Sequence, residues 1–409
     1  MEFFPRTMGT RPRLACEVRA EGVVAARAED GSAVLSAVSR VTLSERGAGD
    51  AATPVGSVVE RVALVAAVRK ALEAVSGRGR EVTLVVPDPT VRVLLLDFDE
   101  LPAKAAEALP VVRFRLKKLL PFDADDAAVS YQVLASGRGS VQVLAVAMPQ
   151  ETLKEYESVV RDAGFEPGAV LPSTLAALAG LDESDRPALV VNAGRDAVTT
   201  AIVRGGVLLL HRTVDLSAGR SAGAGETAAA AGEAKAPSAA VDVRPAESAS
   251  PMMDETARQA ALETSIAAIA ARFAALEGQT PAPVNQPIAA SSVGSALVSE
   301  AVTRASGAAA ATSAAEPVVN EVAQAVSVAA AYFEDTLETA PQVLLTAGTL
   351  GADGLLRVLD TEGAGIGIGP VRVEELVDPE MLGDGAASAG RVSGVPLGWL
   401  AGVRGALKN

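Results

Sequence analysis

A chain of 409 residues that is 49% apolar has ample material for a core and exceeds the length of one ordinary domain. A net charge of −14 and an aromatic content of 3% argue against nucleic acid as a partner, because a phosphate backbone is repelled and bases find few stacking faces. With Cys16 as its one cysteine the chain has no intramolecular disulfide and fits a reducing compartment, and with His211 as its one histidine it cannot assemble a zinc site of the usual ligand types.

The opening MEFFPRTMGTRPR holds no apolar stretch of signal-peptide length, and no window reaches the roughly 18 apolar residues of a spanning helix. The expected location is therefore cytoplasmic, with any membrane association peripheral. Strands are expected over Leu14–Arg27 and Ala33–Leu43, with Glu29-Asp30-Gly31 as the hairpin turn. A helix capped by Ser57 follows, its spacing placing Val58, Val62, Val65, Val68, Leu72 and Val75 on one face before Gly77. The run Glu81–Val86 reads as a buried strand.

After Pro87-Asp88-Pro89 a second unit is expected: strand Val91–Phe98, a helix from near Pro102, strands Val129–Leu134 and Val141–Ala147, and a helix Gln150–Ala163 with Leu153, Tyr156, Val160 and Ala163 on one side. From Arg186 the opening pattern recurs, with strands Ala188–Ala193 and Val198–Val203, a Gly205-Gly206 turn and Val207–Arg212. A strand triplet that opens each half points to a duplicated architecture. Composition then shifts to Ala, Ser, Gly, Glu and Pro over 217–317, too poor in large apolar residues to offset ordering entropy. Within it Leu262, Ile266, Ile269, Phe273 and Leu276 give an amphipathic helix near 254–276. A helix Val318–Leu337, a strand Gln342–Thr346, a glycine turn Ala347–Ala352 with a helix Gly354–Leu359, and an apolar tail helix Pro396–Leu407 complete the chain. The run Gly363–Gly369 has no strand-turn-helix setting and reads as a loop, not a dinucleotide motif.

Three stretches stand out, in order. The most specific is Arg113–Phe122, which includes Phe114 and a Leu120-Pro121-Phe122 turn, followed by Tyr131-Gln132-Val133-Leu134 and Val141–Ala147. Here Pro121 is expected to end a helix and Phe122 to pack under it. The others are Glu151–Gly168, with Tyr156 and Ala163-Gly164-Phe165, and Glu321–Phe333 followed by Leu344–Gly348. In order and spacing the three resemble the PilM family of type IV pilus assembly proteins.

The resemblance implies an α/β, two-lobed actin-like (ribonuclease H-like) fold, with the first lobe over 11–88 and 166–186 and a small α+β subdomain inserted at 89–165. The second lobe covers 187–216 and 318–409, interrupted by the long low-complexity insertion 217–317. It also implies a cytoplasmic scaffold of an inner-membrane pilus or secretion platform that binds the cytoplasmic N-terminal peptide of a PilN-like protein, near the first lobe and Phe98–Leu101. Other platform proteins or an assembly ATPase are further candidate partners.

The nucleotide motifs depart from the actin-like pattern, in which an Asp, a Gly and small hydroxyl residues approach phosphate and magnesium. In Leu14–Gly22, Glu17 stands for the Asp, Arg19 for a Gly, and Glu21 brings negative charge before Gly22. The second loop keeps Gly194 and Thr199 but has Asn192, an amide that cannot act as a base. Gly348 and Gly351 stand at the expected adenosine side. The expectation is no catalysis and no metal, with ATP and magnesium as the cofactors these changes argue against. The rivals are an actin-like ATPase whose nucleotide sets partner affinity, a polymer-forming homologue, and a related secretion-platform protein. The basic residues Arg113, Arg115, Lys117 and Lys118 form a stripe that either faces acidic headgroups or is solvated.

Overall fold

The computed structural model describes residues 12–28, 34–43, 58–137, 139–182, 184–216, 319–366, 371–382 and 395–408. The hairpin turn expected at Glu29–Gly31, the Ser57 cap and the amphipathic helix near 254–276 lie outside them.

The first sheet is built from β1 (Leu14–Arg19), β2 (Gly22–Ala28), β3 (Leu35–Thr42), β4 (Glu81–Val86) and β8 (Glu166–Pro172) in the order β3-β2-β1-β4-β8. Its β1–β2–β3 meander is antiparallel, whereas β4 and β8 run parallel to β1. The second sheet repeats the plan with β9 (Ala188–Ala193), β10 (Ala197–Arg204), β11 (Val207–Asp215), β12 (Val343–Gly348) and β13 (Arg372–Glu375) in the order β11-β10-β9-β12-β13. Again the first three strands are antiparallel and the last two parallel to β9. The chain therefore has the two-lobed actin-like fold, and the duplicated triplets are its two halves. A third sheet, β5-β7-β6, comprises β5 (Arg92–Phe98), β6 (Ala127–Gly137) and β7 (Ser140–Pro149).

Alternation along each strand decides which layer a side chain joins. Leu14, Cys16 and Val18 pack outward against α1 (Val58–Glu73) and α3 (Gln150–Asp162), while Ala15 turns inward against α4 (Ser173–Ala179) and α7 (Ala401–Leu407). In the second lobe Leu189, Val191 and Ala193 pack outward against α5 (319–337) and α6 (Gly351–Ile366), and Val190 joins the inner core. That inner core joins the lobes through small residues such as Ala176, Ala177, Ala401 and Ala406, so α4 and α7 lie close to both sheets. Among the described residues no helix is long and apolar enough to cross a membrane.

Several elements differ from the sequence expectation. The buried residues of α1 are Leu64, Ala67, Val68, Ala71 and Leu72, followed by Val75: Val68, Leu72 and Val75 face the core as the spacing predicts, whereas Val62 is 64% exposed and Ala67 and Ala71 share the contact with the sheet. Helix α2 (Ala105–Leu116) ends before Pro121: a turn over Lys117–Leu119 closes it, and Arg113 Nη1 donates to the Ala124 and Ala127 carbonyls. Arg113 is thus spent on the turn and Lys117 on an ion pair with Asp125, which dissolves the continuous basic stripe. Helix α3 sends Tyr156, Val159 and Val160 into the first-lobe core, away from the separate core of the three-stranded sheet. Helix α6 begins at Gly351 and runs to Ile366, so part of the glycine run read as a loop is helical. Strand β13 and helix α4 carry too little periodic signal to have been expected.

Candidate functional site

In open α/β sheets the binding crevice lies beyond the carboxyl ends of the parallel strands. Here those ends converge from both lobes: Arg19 at the end of β1, Asp88 in the turn after β4, Ser173 and Thr174 after β8, Asn192 near the end of β9 and Gly348 at the end of β12.

Alternation puts Glu17 and Arg19 on the inward face beside Ala15. Glu17 is fully buried, and Arg19 is 9% exposed. Arg19 Nη2 pairs with Glu17 Oε1 at 2.6 Å. The Ser173 hydroxyl donates to the same Glu17 oxygen at 2.6 Å and accepts from Arg19 Nη2 at 3.2 Å. Across the cleft, Asn192 Oδ1 accepts from Arg19 Nη1 at 3.4 Å, and Asn192 Nδ2 donates to Ser173 Oγ and Thr174 Oγ1, each at 2.9 Å. Asp88 closes the chain of bonds, its Oδ2 accepting from Thr174 Oγ1 at 2.5 Å and from Asn192 Nδ2 at 3.4 Å, and its Oδ1 from the Thr174 N–H at 3.0 Å. An amide suits position 192: it accepts from Arg19 and donates to Asp88 at once, whereas a carboxylate there would add a third negative charge beside Glu17 and Asp88.

Burial pushes the Glu17 carboxyl up from its ordinary range, and the Arg19 guanidinium and Ser173 hydroxyl pull it back. Glu17 Oε2 has no hydrogen-bond partner and lies against α7: a Cβ on Gly402 would collide with it. Burial, with Glu17 adjacent, also pushes the Cys16 thiol up, so this cysteine is no nucleophile. His211 on β11 is pushed down by burial, partly offset by Asp88, and its Nε2 is buried without a partner.

A second set of bonds sits at the rim. Glu21, in the turn between β1 and β2, accepts with Oε1 from the Arg195 N–H of the β9–β10 turn and from the Thr349 hydroxyl, both at 2.6 Å. Gly194 borders this pair of bonds, and Gly348 adopts a φ of +92° where a Cβ would collide with the Ala193 carbonyl. Glu375 Oε1 accepts from the Ala352 N–H at the start of α6 at 2.8 Å, beside Gly351. Half-burial raises the Glu375 carboxyl, an effect eased by that N–H.

The space left between these groups is a cavity of about 70 Å³ lined by Arg19, Glu21, Asp88, Asn192, Gly194 and Thr199. Ligand pockets run to roughly 300–1,000 Å³. A larger cavity of about 610 Å³ opens at the opposite ends of β9 and β12, near Phe333 and Arg372, and contains none of the motif positions.

Of the positions singled out in the sequence, Glu17, Arg19 and Asn192 meet directly, and Gly194, Thr199 and Gly348 surround them. Gly22 directly follows Glu21, paired with Arg19 and Thr42, and Gly351 belongs to the α6 start. The subdomain positions form a separate group. Phe122 and Tyr131 pack on its core, Pro121 is at its surface, and Phe114 is 69% exposed. Sequence reasoning did not single out Asp88, Ser173, Thr174, Thr349 or Glu375. The hydroxyl pair directly after Pro172 was the available signal for two of them.

No family model matches the chain, and no curated protein does. Among solved structures it is similar to a PilM–PilN type IV pilus biogenesis complex at 20% identity, covering 98% of each chain with a TM-score of 0.61. Weaker matches include the ethanolamine utilization protein EutJ from Carboxydothermus hydrogenoformans, at 12% identity over 97% of this chain and 89% of that one with a TM-score of 0.39. The likeness over the whole length to the pilus protein, together with the repeated five-strand order, identifies the fold as actin-like.

Proposed function

We propose that this chain is a non-catalytic, partner-binding scaffold of a type IV pilus or related secretion platform, engaging the cytoplasmic segment of a PilN-like inner-membrane protein. The observation that carries the reading is the end-to-end likeness to a chain solved as a PilM–PilN complex. The location that follows is the cytoplasmic face of the inner membrane, reached through the partner.

The non-catalytic half is supported by the cleft. Magnesium and a triphosphate require free backbone N–H groups, a carboxylate aimed at metal-bound water, and room. In this chain Arg19 engages the Glu17 carboxylate, Glu21 engages the Arg195 N–H, and about 70 Å³ remains. These residues do not fit MgATP. The retained glycines Gly194, Gly348 and Gly351 favour the rival, a nucleotide-regulated switch, and give it a definite test. Calorimetric titration of the full chain with the N-terminal cytoplasmic peptide of the PilN-like protein from the same genome is expected to show saturable one-to-one binding without nucleotide. Binding only after MgATP is added would favour the switch, and no binding under either condition would remove the scaffold reading.

A further inference from the structure

The carboxylate of Glu21 is placed as a ligand is placed. It belongs to the first lobe, yet both donors it uses belong to the second: a backbone N–H at Arg195 and a hydroxyl at Thr349, converging on one oxygen at 2.6 Å. Bonds of that length between a neutral donor and a carboxylate are charge-assisted and among the stronger ones in proteins. Gly194 lies beside the pair, a Cβ there standing in ordinary contact, 3.5 Å, with both Glu21 Oε1 and Thr349 Oγ1. A carboxylate also fills the next anion-favouring position, here within the second lobe alone, where Glu375 accepts from the Ala352 N–H that opens the 16-residue helix α6.

We propose that Glu21 is an internal ligand: the second lobe builds an oxyanion site from the Arg195 N–H and the Thr349 hydroxyl, and the first lobe fills it with its own carboxylate, clamping the cleft shut. The class of ligand the site takes is a small oxyanion, of which a carboxylate and inorganic phosphate are two forms. A tethered ligand acts at an effective concentration of roughly millimolar or above, so free oxyanions at lower concentration do not displace it. Because the bond crosses between lobes, it favours the closed arrangement as a diffusible bridging ligand would, but permanently. This inference rests on the reading of the cleft as closed to nucleotide and is independent of the partner.

The test uses the full chain as wild type, Glu21→Ala, Glu21→Gln and Glu21→Ala/Thr349→Val, melted with and without millimolar inorganic phosphate at matched ionic strength. Glu21→Ala is expected to lose several degrees of Tm and to regain part of that loss with phosphate. Wild type and the double variant are expected to gain no more than the general salting effect of phosphate. Amide exchange at Arg195 in wild type and Glu21→Gln, which keeps the side chain's shape, is a second readout: the rate should rise about tenfold or more in Glu21→Gln. Equal phosphate shifts in wild type and Glu21→Ala, or unchanged Arg195 exchange in Glu21→Gln, would overturn the internal-ligand proposal. MgATP binding to the wild type would instead overturn the closed-cleft reading on which it rests, so the two failures are distinguishable.

Discussion

The two lobes share one strand order, but their first turns have become opposites. The β1–β2 turn of the first lobe presents the Glu21 carboxylate, and the β9–β10 turn of the second presents Gly194 and the Arg195 N–H that receives it. Deeper in the cleft the same division holds, with the Glu17–Arg19 ion pair on β1 and the neutral amide Asn192 on β9. A duplicated fold would ordinarily offer two similar loops to one ligand between them. Here the halves complement each other, so the interface between lobes is made of the groups that line a ligand site elsewhere.

Removing the cation from the inner half should break that comparison most severely. Arg19→Met leaves Glu17 buried without its counter-charge, and losing one partner of a buried pair costs about 3–5 kcal/mol. Urea unfolding at neutral pH is expected to show a loss of that size. The loss should shrink as the pH is lowered toward the carboxylate range, because Glu17, already raised, then takes up a proton and no longer needs a partner. A loss under about 1 kcal/mol, the value of an exposed pair, would mean that the ion pair contributes little to the stability of the buried cleft.

A smaller effect is expected where α7 meets the network. Gly402→Ala pushes a methyl group into the Glu17 carboxylate and should cost about 1–3 kcal/mol by overpacking. Thermal melting measures it, and an unchanged Tm would show that α7 can shift freely at this point.

The smallest expected effect is a slope. His211 has its folded pKa depressed by burial, so as pH falls through about 6.5 the unfolded chain takes up the proton first. Stability should therefore fall on the acid side by at most about 1.4 kcal/mol per pH unit from this one group. His211→Gln should flatten the slope in that window, and an identical slope would assign it to other groups.

The fold was legible in the sequence because its two strand triplets alternate cleanly, with Leu14, Cys16 and Val18 marking one layer and Leu189, Val191 and Ala193 its repeat. What escaped has physical reasons. The stripe of α1 includes Ala67 and Ala71, which mark neither face strongly, so the valine spacing wrongly brought in Val62. The cleft positions Glu17, Arg19 and Asn192 were visible as departures from a motif, but a motif reports what is missing and not what has replaced it. That Arg19 turns back onto Glu17 while reaching Asn192, or that Asp88, Ser173 and Thr174 join them, depends on contacts between residues as many as 173 positions apart. The turn Pro87-Asp88-Pro89 read only as a boundary, although Asp88 ties β4 to both α4 and β9.

On this reading the cleft is closed to nucleotide by its own side chains. Calorimetric titration of the wild-type full chain with MgATP tests it most directly. No saturable heat is expected. Stoichiometric binding in the micromolar range would contradict it, requiring the Glu17–Arg19 pair and the Glu21 bonds to open for nucleotide and restoring the regulated switch as the better description.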